Sequence, residues 1–481
     1  MDYIFENNTQ EVKFKVLKEA ARAGFNKDDD ISLRSIAKAI IPGPKPTFRC
    51  CIHKERTIIR EQLKYSFGKV KSPQVVNVIE SACEQCPIDR YTVTNACQGC
   101  IARSCVKSCK SDAIIMVDNH AYINQEKCIE CGKCKKACQF DAISDIKRPC
   151  KRSCPVDAIE MDENKIAGIN YSKCISCGHC VYSCPFGAIT DTSEIYDVAR
   201  LLSSNEDIYA LVAPSISSQF CDMTISQVKK ALKAIGFKDV IEVALGSDIV
   251  IKTETEEFIE QTNSFMTTSC CPAFVNLVKT KFPKVNDNVS TTVSPMVALG
   301  KLVKSYHSDA KTVFIGPCIA KKHEAEVQEN TDAIDYVLTF EELRSLLGAK
   351  DVSIKEQESD PLNNASYYGR IFAISGGVSG AISDYIKTND IDATFKPFAA
   401  NGAKECIKQL TLASLNKQSF NFLEGMICEG GCISGPGSIT HTRKDANLVK
   451  EYASLAKEKT VADSLQIHEI SNLALHKNNH Y

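Results

Sequence analysis

The sequence predicts an α/β protein. A C-terminal half with mainly parallel sheets flanked by helices follows an α+β cysteine-rich segment, with a small helical extension at the N-terminus. Three observations carry this reading. From about residue 193 apolar strands alternate with amphipathic helices, the pattern of parallel strands joined by crossover helices. A motif ending in Ala-Ile recurs four times between residues 105 and 189, which marks an internal repeat. Residues 1 to about 80 are rich in Lys and Glu at helical spacing.

The chain has 481 residues, enough for two to four domains, and divides by composition at 1–80, 81–192 and 193–481. Apolar residues make up 44% and charged residues 24%, as in ordinary soluble proteins. A net charge of -1 gives no bias toward nucleic acid or an anionic membrane. The opening "MDYIFENNTQEVKFKVLKE" lacks an apolar h-region, and no apolar run is long enough to span a bilayer. The expectation is a cytoplasmic protein with neither nucleic acid nor membrane as partner.

In the first region, "VKFKVLKEAARAGF" and "ERTIIREQLKYSF" read as helices on either side of "PGPKP" at 42–46, a break in periodicity. Cys50 and Cys51 lie here without ligand spacing and read as ordinary thiols.

The second region explains most of the 25 cysteines, with 16 of them between residues 83 and 184. Thiols two and three residues apart in a chain without an export signal read as metal or cluster ligands rather than disulfides. Zinc is the competing reading; histidine is scarce here, and the spacing is not that of a zinc ribbon. Cys128, Cys131, Cys134 and Cys138 in "CIECGKCKKACQFDAI", and Cys174, Cys177, Cys180 and Cys184 in "CISCGHCVYSCPFGAI", match the bacterial ferredoxin run. "CVKSCKSDAI" with Cys105 and Cys109, and "CKRSCPVDAI" with Cys150 and Cys154, share the ending. The segment thus reads as two tandem ferredoxin-like units.

In such units the fourth cysteine of each run ligates the other cluster. Cys97, Cys100 and Cys105 would join Cys138. Cys128, Cys131 and Cys134 would join Cys109, and Cys174, Cys177 and Cys180 would join Cys154. Cys150 and Cys184 are left one pair short, and "CEQC" at Cys83 and Cys86 can supply it, giving about four accessory [4Fe–4S] clusters. The plainer reading of Cys83 and Cys86 is a surface or redox thiol pair. "KCKK" and "IKRPCKR" either offset cluster charge or form a docking face for an acidic electron carrier.

In the third region "IYALVAP", "VIEVAL", "FMTTSC", "TVFIGPC" and "IFAIS" read as strands and "ISQVKKALKAIGF" as a helix; "HKNNHY" reads as a frayed tail. The cysteines become sparse and placed. Cys270 and Cys271 in "TTSCCPAF" and Cys318 in "IGPCIAKKHE" follow predicted strands, where sites of open α/β sheets assemble. Cys428 and Cys432 in "EGMICEGGCISGPG" lie one helical turn apart, with Gly430 and Gly431 making room for something bulky. Four thiolates from three segments can hold one more cubane. Cys270 and Cys271, as neighbours in an extended segment, point to opposite faces, which leaves one thiol free to carry a proton. The plainer reading of Cys270 is a packed small hydrophobe.

"TSCCP", "PCIAKKHE" and "EGMICEGGC" in this order resemble the three signature motifs of [FeFe]-hydrogenases, over roughly residues 200–445. The resemblance implies interconversion of H2 with two protons and two electrons at an H-cluster, a [4Fe–4S] cubane joined to a two-iron subsite with CO, cyanide and azadithiolate ligands. It implies that Cys271, Cys318, Cys428 and Cys432 hold the cubane, with Cys432 as the bridge. Lys321 and Ser215 would contact the cyanides, and Pro214 and Met426 would pack on the subsite. Cys270 would take a proton from the bridge amine and pass it along Glu254, Ser290 and Glu257. Ferredoxin or a similar carrier and maturation proteins for the two-iron subsite are the implied partners. Without the resemblance the two glutamates, at i and i+3, read as a solvated helix face.

The sequence departs from the usual pattern at four places. Gly316 replaces a methionine before "PC", Ala273 and Phe274 replace Gly-Trp, Met296 replaces a glutamine, and Pro436 interrupts a glycine run. These resemble a less studied branch, group B, and leave the ligands intact. The rival readings are an H2 sensor, which usually carries an appended signalling domain, and a cluster-assembly or electron-transfer relative, which needs no proton relay.

Overall fold

The computed structural model describes residues 4–28, 30–69, 74–84, 86, 89–220, 223–327, 330–442 and 444–477. Two parallel sheets organise the C-terminal half. One has four strands in the spatial order Asp239–Glu242, Ile208–Val212, Lys311–Gly316, Tyr336–Thr339; the other has three, in the order Met266–Thr267, Phe422–Met426, Pro397–Asn401. Every pairing within them is parallel. The Ile208–Val212 strand is buried at all five positions, as expected when helices cover both faces of a parallel sheet.

The alternation holds with two corrections. "VIEVAL" is strand only to Glu242; the 18-residue helix Val243–Glu260 begins at the next residue. Glu242 is buried and accepts from Arg370 Nε at 2.8 Å and from Asn364 N at 2.6 Å. These bonds anchor the corner where the chain turns into the helix. "IFAIS" is not a strand. Its first residue closes the helix Tyr367–Ile371, and Ile374 makes only an isolated bridge to Gly431. The helix is set by Ser366, whose hydroxyl accepts from Gly369 N at 3.0 Å as an N-cap, and the apolar run leaves it through a turn at Phe372 and Ala373.

The cysteine-rich segment is built from two-stranded antiparallel ribbons and five-residue helices. Ile114–Val117 pairs with His120–Ile123, Tyr91–Val93 with Ile143–Asp145, and Ile159–Met161 with Ala167–Ile169. Val76–Val78, just ahead of "CEQC", pairs with Ile189–Asp191. This pairing carries Cys83 and Cys86 to the second half of the segment.

The N-terminal helices Asn8–Phe25, Leu33–Ile40 and Ile52–Ser66 lie on either side of the "PGPKP" break. Val16, Leu17, Ala20 and Ala21 share one continuous core with Ile195, Val198 and the C-terminal strands. Lys13 reaches Asp191 at 2.9 Å and Glu341 at 2.7 Å, and Lys322 meets Asp191 and Glu342, each at 2.8 Å. This buried network ties the N-terminal helix to the C-terminal sheet. No helix among the described residues is long and apolar enough to cross a membrane.

Candidate functional site

The Ala-Ile repeat has a local cause. The residue before each alanine is left-handed: Asp112, Asp141, Asp157 and Gly187 have φ of 47°, 48°, 54° and 59°. At three of the four repeats that turn aims the alanine N–H at the thiol four residues back. Ala113 N donates to Cys109 Sγ at 3.3 Å, Ala158 N to Cys154 Sγ at 3.2 Å and Ala188 N to Cys184 Sγ at 3.3 Å. All four alanines are buried. The CxxC loops at 97–100, 128–131 and 174–177 also bend at a left-handed residue, Gly99, Glu130 and Ser176 respectively, which folds each loop back on itself. A backbone amide aimed at sulfur stabilises a thiolate, the form that binds iron.

The thiols gather in four groups. Cys105 faces Cys138 and Cys100, and Cys134 faces Cys128 and Cys109. Cys97 packs in the same apolar cluster as Cys105 and Cys138, and Cys131 is exposed on its loop. Cys180 faces Cys177, Cys174 and Cys154. Cys150 faces Cys184, Cys86 and Cys83; its pKa is pushed up to about 11 by burial and then by those neighbours. Cys83 Sγ also accepts from Ala167 N at 3.4 Å and lies 3.9 Å from Arg148 Nη1. Cys50 and Cys51 are exposed. Among the described residues no three His, Cys, Asp or Glu side chains are placed to hold a single metal ion. A cubane binds each thiolate at a separate iron and therefore needs them spread more widely.

The C-terminal site lies where the carboxyl ends of both sheets meet. Ile208–Val212 leads to Pro214 and Ser215, Lys311–Gly316 to Cys318, Met266–Thr267 to Cys270 and Cys271, and Phe422–Met426 to Cys428 and Cys432. All of these residues except the strands, together with Lys321, Met296 and Met426, line one cavity with about 770 Å³ of empty space, its mouth included. Cys428 and Cys432 are not a helical turn apart, as their spacing predicts. They flank a loop in which Gly430 and Gly431 have φ of 87° and 97°, a region that side chains disfavour. A Cβ on Gly431 would stand 2.6 Å from Ala373 O. The glycines therefore shape the backbone that carries both thiols.

Protein surrounds Cys432 on all sides, yet the residue presents accessible surface, because that surface faces the cavity. Its pKa is raised to about 12 by burial and by the adjacent Cys318 and Cys271. Ser215 is fully buried at the cavity wall, and its hydroxyl has no hydrogen-bond partner among the described residues. Five converging thiols, an unpartnered hydroxyl and two missing side chains suit a bulky thiolate-bound group with hydrogen-bond acceptors.

Lys321 Nζ reaches into the same cavity, held by Glu324 at 2.6 Å and Cys270 O at 3.2 Å. Cys270 is buried; burial first, and Glu254 next, raise its pKa. Glu254 is fully buried and accepts from Ser269 N at 3.4 Å. Its other oxygen has no partner among the described residues. Burial, then the charge of Glu257, pushes its pKa up to about 8. Ser290 donates instead to Glu257, at 2.6 Å. The structure thus brings Cys270, Glu254, Ser290 and Glu257 into one file running outward from the cavity.

Four contributors escaped the sequence reading. His179 Nε2 lies 3.5 Å from Cys428 Sγ; its place inside "CISCGHC" is the signal for it. Thr291 and Thr292 hold Glu257, and nothing local marks them. Phe314 lines the cavity, and a Cβ on Gly316 would stand 2.5 Å from its ring. The ring occupies the space that a methionine at 316 would need.

Residues 206–436 match the family model for the iron only hydrogenase large subunit, C-terminal domain, and residues 121–144 match a 4Fe-4S binding domain. The chain is an [FeFe]-hydrogenase-like protein. A further match, to the LdpA Fe-S cluster-binding domain, covers residues 143–195. Iron hydrogenase 1 of Clostridium pasteurianum is 27% identical over 305 residues, covering 52% of this chain and 53% of that one. A probable cytosolic Fe-S cluster assembly factor of Brugia malayi is 24% identical, covering 48% of this chain and 59% of that one. The chain spans about half the length of the first hydrogenase relatives it matches. The solved [FeFe]-hydrogenase of Chlamydomonas reinhardtii aligns with a TM-score of 0.45 at 18% identity, over 54% of this chain and 87% of that one. Within this hydrogenase-like chain, Cys154, Cys174 and Cys177 pack in one apolar cluster with Cys271 and Cys318. The accessory thiol group and the cavity are therefore immediate neighbours.

Proposed function

We propose that the chain is an [FeFe]-hydrogenase, interconverting H2 with two protons and two electrons at an H-cluster held by Cys271, Cys318, Cys428 and Cys432. The observation that carries this reading is Glu254, a fully buried carboxyl beside Cys270 with its pKa raised to about 8. A proton-holding group behind a thiol is what proton catalysis needs, and cluster assembly or electron transfer alone does not.

When bound, the H-cluster supplies the centre at which the H–H bond breaks or forms and the store for the electrons. The chain supplies the rest. Cys270, kept protonated by burial, exchanges a proton with Glu254 on one side and the cavity on the other. Ser290, whose hydroxyl can donate and accept, links Glu254 to Glu257. Lys321 sets a cation and Ser215 a free hydroxyl on the cavity wall, where cyanide ligands would be met; Pro214 and Met426 pack around them. The cavity lining is largely apolar, which keeps water from the reacting protons.

The accessory thiols would hold about four [4Fe–4S] clusters in two tandem ferredoxin-like units within residues 81–192, between the helical extension and the catalytic domain from 193. The group at Cys154, Cys174, Cys177 and Cys180, next to the cavity, would hand electrons between the H-cluster and the outer clusters, and these to ferredoxin or a similar carrier. Separate maturation proteins would insert the two-iron subsite, in the cytoplasm. The similarity to assembly factors at nearly the same identity favours one rival, a non-catalytic relative.

Infrared spectroscopy of anaerobic protein, before and after loading with a synthetic two-iron cofactor, separates the two when paired with H2 evolution from reduced viologen. New CO and cyanide bands, with H2 evolution lost in Cys270→Ala, are expected of the enzyme. Intact cubanes that take up no two-iron unit would leave the assembly relative.

A further inference from the structure

We propose that His476 is the outer terminus of the proton path, exchanging protons with solvent and passing them to Glu257 through the hydroxyl of Thr291. The path's inner end rests on the hydrogenase reading; its outer end stands on geometry.

Glu257 has no need of bulk water to hold its charge. Ser290 Oγ, Thr291 N, Thr291 Oγ, Thr292 N and Thr292 Oγ donate to it at 2.6, 2.6, 2.9, 3.2 and 2.8 Å. One of these donors is shared. Thr291 Oγ lies 2.9 Å from Glu257 Oε1 and also 2.9 Å from His476 Nδ1. His476 is exposed, so its ring joins this file to the solvent.

The contact is built. The C-terminal segment, expected to fray, pairs with 291–293 through Val293 N to Leu475 O at 2.8 Å and Lys477 N to Thr291 O at 2.9 Å. Thr292 and His476 form an antiparallel bridge, and Lys301 Nζ holds Ala474 O at 2.5 Å. Residues 478–481, the rest of the expected tail, lie outside the described residues. With the backbone fixed by these ties, the imidazole is not required as an anchor.

The transfer balances. Moving inward, the Nδ1–H of a protonated His476 passes to Thr291 Oγ as the hydroxyl's own proton passes to Glu257 Oε1. The hydroxyl is regenerated, the imidazole is neutral and Glu257 holds one proton. Moving outward, the same bonds form and break in reverse. Imidazole suits this end because either ring nitrogen can carry a proton.

The test uses the full chain with its cubanes, in two readouts. Stopped-flow infrared on mixing with D2O follows exchange of the protonated Glu254 carboxyl and needs no two-iron subsite. H2 evolution follows after loading. His476→Gln and Thr291→Val are expected to slow both by roughly tenfold or more, with Thr291→Ser close to the parent. Imidazole in the buffer should restore His476→Gln and leave Thr291→Val slow. Parent-like exchange and turnover in both variants would overturn the proposal. So would equal loss in Thr291→Ser, which would make the threonine a packing group, or His476→Gln unrestored by imidazole. A parent protein that loads but evolves no H2 would instead overturn the hydrogenase reading, and the exchange readout would still decide the path.

Discussion

Glu254 and Glu257 lie one turn apart on the Val243–Glu260 helix and are held in opposite protonation states. Glu257 is pulled below the usual carboxylate range: its hydrogen bonds from Ser290 and residues 291–292 outweigh the burial that opposes them. Glu254 is fully buried, feels the charge of Glu257 and has fewer donors to offset them, so its pKa stands at about 8. One carboxyl holds a proton near neutral pH and the other does not. In the proposed relay a proton would pass between them through Ser290.

The neutral state of Glu254 has a spectroscopic and a stability signature. A carboxylic acid C=O band should be present near neutral pH, fade as the pH rises through about 8, and be missing in Glu254→Gln. The raised pKa lies above the unfolded carboxylate value. The folded chain thus holds the extra proton in the window between about 4.5 and 8, and stability falls as the pH climbs through it. Anaerobic urea midpoints across that window should fall less steeply in Glu254→Gln, with the cubane signals unchanged and H2 evolution lost. An unchanged slope would show that Glu254 is ionised in the fold.

Ser215 carries a buried hydroxyl without a partner, a state that costs roughly 1 kcal/mol or more. Ser215→Ala should therefore leave the melting temperature of protein lacking the two-iron subsite unchanged or raised. After loading, one cyanide band should shift, because a donor has been removed. A destabilised protein with unshifted bands would make the hydroxyl structural.

Cys83 and Cys86 lie beside Cys150 and Cys184, so the fourth accessory cluster can be counted. Protein with cubanes only should hold about twenty irons, four for each of five thiolate sets. Cys83→Ser should lower this by about four, while Cys50→Ser, at an exposed thiol, should change nothing. Iron analysis with electron paramagnetic resonance makes the count, and an equal iron content in both variants would remove the fourth cluster.

What could be read ahead of the structure was whatever is local. The ferredoxin-type spacing places thiols within a few residues of each other, and its turns repeat with it. The parallel sheets showed in the alternation of strands and helices. Elements whose identity depends on distant contacts were misread: "IFAIS" is apolar enough for a strand, but the helix start at Ser366 is secured by Asp248, which accepts from Ser366 N at 2.8 Å. The five cavity thiols come from three segments up to 162 residues apart, and only their flanking motifs linked them. The partners of Glu257 arrive from a different loop, and His476 from 185 residues beyond Thr291; no periodicity reports such meetings.

The departure at Gly316 has a partner in space, and this can be tested by coupling. A Cβ at 316 would stand 2.5 Å from the Phe314 ring and 3.2 Å from the Ala213 Cβ, while Phe314 itself lines the cavity. The phenyl ring has taken the volume that a methionine would fill from the neighbouring position. Gly316→Met alone therefore overpacks the wall, a change that costs about 1–3 kcal/mol. Phe314→Ala alone opens a void and costs about 3–5 kcal/mol. Together the changes exchange one filling for the other, so the double variant should be more stable than the sum of the two losses predicts, by about 1 kcal/mol or more. Melting temperatures of the four proteins give the coupling, and strict additivity would mean that the two side chains do not compete for the same space. If they do compete, the double variant should also place a thioether at the cavity wall where the parent has an aromatic ring. The CO bands of the loaded double variant should then shift relative to the parent, while Cys271, Cys318, Cys428 and Cys432 are unchanged.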